Sequence, residues 1–111
     1  MQARLATLPS TSVLITSQIS RLECRAKPVR DSDSALLARY DAAFAQTRLV
    51  QVSESIIERA TELRARYGFR SPDAIHLTTA IDAAVTVFLT GDAQLARCTE
   101  VNVDVFTSVL P

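Results

Sequence analysis

Hydrophobic positions along the chain alternate between two periods. Ser12–Thr16 (SVLIT) is a short, nearly continuous apolar run, which suits a strand buried on both faces. A helix follows, with Ile19, Leu22 and Ala26 as its core face, Ser17 or Ser20 as its cap, and Pro28 as its stop or kink. Asp31-Ser32-Asp33-Ser34 is a second start signal, after which Leu36, Leu37, Tyr40 and Phe44 recur at helical spacing to about Gln46. Arg48–Val52 alternates like a strand. Ser53 and Glu54 then open the clearest helix, whose apolar face is Ile56, Ile57, Ala60, Leu63 and Tyr67 and whose end is Gly68.

Ser71-Pro72-Asp73 reads as another helix start, with a capping serine, a proline and an acid. The stretch from Ala74 to Ala84 is apolar nearly all round, which predicts a central, buried helix. Thr86–Thr90 reads as a buried strand, Gly91-Asp92 as a turn, Ala93–Arg97 as a short helix and Val101–Phe106 as a last strand. Met1–Leu8 reads as the end of a helix, broken at Pro9. Strand, helix pair, strand, helix pair, strand, short helix, strand is an alternation that implies an α/β fold with a parallel sheet.

Composition narrows the class. A chain of 111 residues, 48% hydrophobic and 5% aromatic, is one domain with an aliphatic core. Twelve basic residues balance twelve acidic ones, so no global field draws in nucleic acid, and any such role rests on local patches or on metal ions. Cys24, Cys98 and the single His76 do not form a zinc-ligand set, and two reduced, buried thiols is the plain reading of the cysteines. No apolar run approaches the roughly 18 residues of a membrane span, and the N-terminus lacks the apolar core of a signal peptide. A cytoplasmic protein is expected.

Open α/β sheets bind ligands beyond the carboxyl ends of their strands. Three acids fall in or near that region: Glu23 on the helix after the first strand, Asp73 at the start of the buried helix, and Asp92 just after the strand ending in Thr90. Converging carboxylates repel one another unless cations enter, and oxygen-only ligands select Mg²⁺ or Mn²⁺. Such ions activate water for phosphodiester hydrolysis. Each acid has a structural reading beside this one. Asp73 and Asp92 gain from a helix start with no function attached, and Glu23 alone is a solvated helix residue. His76 reads as a packing or hydrogen-bonding residue rather than a ligand. Arg21, Arg25, Lys27 and Arg30 form either a solvated face or a phosphate contact.

Residues Thr16–Arg25 (TSQISRLECR), Glu58–Gly68 (ERATELRARYG), Ser71–Leu77 (SPDAIHL) and Phe88–Asp92 (FLTGD) together resemble the PIN-domain family, and within it the VapC-type toxin ribonucleases. The resemblance implies a PIN-like three-layer α/β/α fold. It implies an endoribonuclease using Mg²⁺ or Mn²⁺, with Glu23, Asp73 and Asp92 as catalytic metal ligands and Thr90 near the metal. RNA phosphate contacts would then come from Arg25 and Lys27. A cognate VapB-type antitoxin and a homodimer are implied as partners.

The family pattern opens with a strand ending in an aspartate that is a principal ligand, and no counterpart precedes Glu23 at the required distance. Residues 1–111 are therefore expected to form a partial domain lacking the first, central strand and the first helix. Catalysis would then be weak or absent. Two rival readings stand beside this one: an inactive PIN remnant that binds an antitoxin or dimerises, and an unrelated flavodoxin-like receiver domain.

Overall fold

The computed structural model describes residues 12–106, so the helix end expected at Met1–Leu8 lies outside the described residues. The elements follow the expected order. β1 is Ile15–Ser17, α1 Ile19–Arg30, α2 Ser34–Ala45, β2 Arg48–Val50, α3 Glu54–Tyr67, α4 Ser71–Asp82 and β3 Phe88–Thr90, followed by a 3-10 turn at Ala93–Arg97 and β4 at Val103–Val105.

The helix ends obey local chemistry. Ser53 Oγ accepts from Ile56 N at 3.2 Å, and Asp33 Oδ1 accepts from Leu36 N at 3.0 Å. Gly68 closes α3 in the left-handed region, φ 76°, and its amide donates to the Arg64 carbonyl. Ser71 does not cap α4. It is already helical, the capping position is Arg70, and no side chain caps there. Pro28 does not stop α1, which runs on to Arg30 with the proline as its one buried residue. Leu22, expected in the core, is 69% exposed, and Ala26 is exposed too.

The strands pair in two separate ladders. β1 pairs with β2 in parallel (Ile15 with Arg48, Ser17 with Val50), and β3 pairs with β4 in parallel (Phe88 with Val103, Thr90 with Val105). These are two two-stranded sheets, with no ladder joining them among the described residues. Strands of three residues with little cover on one edge are only half buried. Ser17 is buried, while Phe88, Leu89 and Thr90 are all intermediate.

α4 holds the two sheets in one body. It packs on α3 and on β1. Its Ala74 and Leu77 join Ala60, Leu63, Phe69, Leu95 and Cys98 in a buried cluster, with Phe88 and Val103 of the second sheet against it. The expectation of a buried central helix is met: Ala74, Leu77, Thr78, Thr79 and Ala80 are all buried. The cluster takes nothing from α1 or α2, so those helices form a hairpin beside the core, with no buried residue in α2.

Leu77 is wholly enclosed. Leu77→Ala is expected to lower unfolding free energy by about 2–5 kcal/mol, the usual range for such a truncation. Denaturant titration checks this. Loss below about 1 kcal/mol would show that α4 is not the centre of the core.

Candidate metal centre

α4 also organises the polar chemistry. Asp73 sits in its first turn, where the helix dipole favours a carboxylate. Arg70 Nε lies 3.4 Å from Asp73 Oδ2, a long contact that holds the acid loosely. His76 comes one turn later and reaches across to α1, where its Nε2 lies 2.6 Å from Glu23 Oε1. Residues three apart on a helix are neighbours, about 5–6 Å between Cβ atoms. Glu23 therefore docks on α4 at His76, a residue one turn past Asp73. Packing fixes the helix itself, because its Ala74 and Leu77 are buried in the core.

Asp92 follows β3 and has a local task. Its Oδ1 accepts from Gln94 N at 2.9 Å, capping the 3-10 turn. Its own amide donates to Thr90 Oγ1 at 3.1 Å. Thr90 thus orders the turn that carries Asp92. Asp92 shares no hydrogen bond or ion pair with Glu23 or Asp73.

Among the described residues each of the three acids uses one oxygen and leaves its second without a hydrogen bond: Glu23 Oε2, Asp73 Oδ1 and Asp92 Oδ2. Such a donor set is all oxygen, which suits a hard dication. In kind, the residues fit Mg²⁺ or Mn²⁺. Among the described residues, however, no group of three or more His, Cys, Asp or Glu side chains is close enough to hold a metal ion. The fold joins Glu23 to His76 on α4, and the three acids do not gather.

Two of the four residues of the basic cluster are committed elsewhere. Arg25 Nε lies 2.9 Å from Asp41 Oδ1, joining α1 to α2 as an ion pair without hydrogen-bond geometry. Arg30 pairs with Asp31 at 3.0 Å. Lys27 is exposed. Burial raises the Cys24 thiol above its ordinary value, and the neighbouring Glu23 charge adds to the rise. This is an unreactive thiol at neutral pH. Both cysteines are free, and Cys98 is buried.

Sequence reading missed the pairing of His76 with Glu23. The two are 53 residues apart, and no local periodicity links them. It also missed Arg59–Asp82, 2.7 Å, which ties α3 to the end of α4. The available signal was position: His76 stands one turn from Asp73 and between the apolar Ile75 and Leu77.

Comparison with known proteins decides the family. The PIN-domain family model matches residues 2–101. This chain belongs to the PIN-domain family. A chain from a toxin–antitoxin complex of Klebsiella pneumoniae has the same fold, with a TM-score of 0.72 and 24% identity over 90% of this chain and 79% of that chain. Comparison with curated proteins gave no match. PIN domains generally use divalent metals, and the mixed α/β fold with parallel strands is the PIN-like one expected. No described helix is long and apolar enough to cross a membrane.

Asp92 offers a clean separation of fold from chemistry. Asp92→Ala is expected to cost about 0.5–2 kcal/mol of stability through loss of the cap, and Asp92→Asn much less, since asparagine caps as well as aspartate. Thermal unfolding of the two variants reads this directly. Equal destabilisation by both would show that the charge, rather than the cap, matters to the fold.

Proposed function

We propose that this PIN domain is a metal-dependent endoribonuclease of the toxin–antitoxin type, acting on RNA phosphodiesters with Mg²⁺ or Mn²⁺. The observation that carries the reading is the pairing of Glu23 with His76, a residue one turn past Asp73 on α4, in a chain matched by the PIN model over residues 2–101. Glu23, Asp73 and Asp92 would hold the ion, which supplies an activated water and neutralises charge on the phosphate. The protein's own share is to hold the acids: α4 presents Asp73, β3 and Thr90 deliver Asp92, and α1 brings in Glu23. Lys27 is exposed and available to an RNA phosphate, whereas Arg25 must first leave Asp41.

The three acids do not gather among the described residues, so slow catalysis is expected from this chain. The structural likeness to a chain of a toxin–antitoxin complex supports a VapC-type toxin with a VapB-type antitoxin as partner. A homodimer belongs to the same reading.

A second reading, an inactive domain that binds an antitoxin or a second copy, is favoured by two features. The acids do not gather, and the α1–α2 hairpin displays Leu22 and Val29 at 69% and 58% exposure.

Purified chain should cleave single-stranded RNA slowly with Mn²⁺ and stop when EDTA is added. Asp73→Asn should slow it about a hundredfold, the scale on which small misplacements at a reacting centre act. Cleavage indifferent to both EDTA and Asp73→Asn would refute the nuclease reading. No cleavage, together with tight antitoxin binding, would establish the binding module.

A further inference from the structure

We propose that the corner between α3 and α4 is a landing surface for single-stranded RNA, on which Arg64, Arg70 and Arg97 hold the phosphate backbone. This surface deepens the ribonuclease reading above, on which it rests, and it takes up RNA with or without a bound ion.

The three arginines meet around one residue. Phe69 is buried, 3% exposed, and fixes the corner. The Arg97 guanidinium lies over its ring, 5.0 Å from the centroid, within cation–π range. Arg64 Nη1 donates to the Phe69 carbonyl oxygen, and Arg70 is the next residue in the chain. All three arginines are exposed.

Two of these cations are held in place without being neutralised. Arg97 Nε donates to the Gln94 carbonyl at 3.2 Å, so its partners are a ring and an uncharged oxygen. The oxygen that holds Arg64 is uncharged too. Among the described residues neither arginine is paired with a carboxylate. Arg70, whose side chain is 82% exposed, has only its long contact to Asp73. Arg25, Arg30, Arg59 and Arg66 differ, since each has an acid of its own. In a chain of zero net charge, the corner therefore gathers positive charge that nearby acids do not balance.

A guanidinium held in advance loses less freedom on binding, and its fork of donors matches phosphate oxygens. Arg97 also offers a plane on which an unpaired base can stack. That favours single-stranded RNA over an acidic peptide, which carries charge but no base. Arg70 adjoins Asp73, and Arg97 ends the turn that Asp92 caps. A strand bound here lies beside the segments that carry both acids.

Binding is read without metal, from the fluorescence anisotropy of a labelled oligouridylate in EDTA over a series of potassium chloride concentrations. Each phosphate contact on a single strand adds about 0.7 to the fall of log affinity with log salt. Arg64→Gln, Arg70→Gln and Arg97→Gln should each flatten the native slope by about 0.7, and the triple variant by about 2. Arg70→Lys keeps the charge and should keep the slope. Arg59→Gln removes an arginine already paired with Asp82 and should leave the slope unchanged. Thermal unfolding is run on each protein. Should the Arg64 or Arg97 variants not fold, Arg70→Gln decides, because Arg70 has no contact but the one to Asp73.

A slope that the three substitutions leave unchanged, or that Arg59→Gln lowers equally, would overturn the proposal. A polyglutamate peptide that binds more tightly than the RNA, and is lost in the triple variant, would assign the corner to an acidic protein partner instead. No binding in EDTA beside Mn²⁺-dependent cleavage would overturn this surface and leave the ribonuclease reading standing. Arginine-dependent binding with no cleavage under any condition would sink that reading and keep the surface.

Discussion

Burial of α4 is the constraint on which the rest depends. Its sequence, SPDAIHLTTAID, offers no broad polar face, so the chain must cover it from several directions at once. α3 supplies one cover, β1 another, and the cluster around Phe69, Leu95 and Cys98 a third. Fully burying a leucine the size of Leu77 contributes about 1.5–3 kcal/mol. A position set by that much packing does not drift, and side chains at the rim of the same helix inherit its precision. Asp73 and His76 are such side chains.

Much of this was legible in the chain. The order of elements could be read because periods of two and 3.6 alternate cleanly, and because Ser53, Asp33 and Gly68 carry their capping chemistry within a few residues. The same holds for α4, whose apolar run has one reading. Other features depend on long-range context and were not legible. Leu22 stands at helical spacing beside Ile19, yet it faces solvent because nothing in the described residues covers α1 on that side. Pro28 lies inside α1 rather than after it. The hydrogen-bond partners of β1 and β3 could not be deduced from their apolar content, since an apolar run states that a strand is buried and not what lies beside it.

The acids show the same division. Their positions after β1, at the start of α4 and after β3 follow from the alternation of strands and helices. Their local roles follow as well: Asp92 is a cap and Asp73 a dipole partner. Their mutual geometry does not follow. Glu23 is recruited by a histidine more than fifty residues away, Asp92 is held by its own turn, and Arg25 is taken by Asp41. Electrostatic partners are chosen by tertiary structure, and charge bookkeeping along the chain does not anticipate them.

The interrupted sheet bears on how this protein behaves in concentrated solution. Every strand has a side with no strand beside it among the described residues, and such margins recruit other chains into aggregates. Two properties of the sequence restrain this. All four strands are three residues long, too short to nucleate a cross-β stack. β2 and β4 also carry Arg48 and Asp104, whose charges oppose dry stacking. Brevity here acts as a safeguard: none of the described strands is long enough to template a fibril.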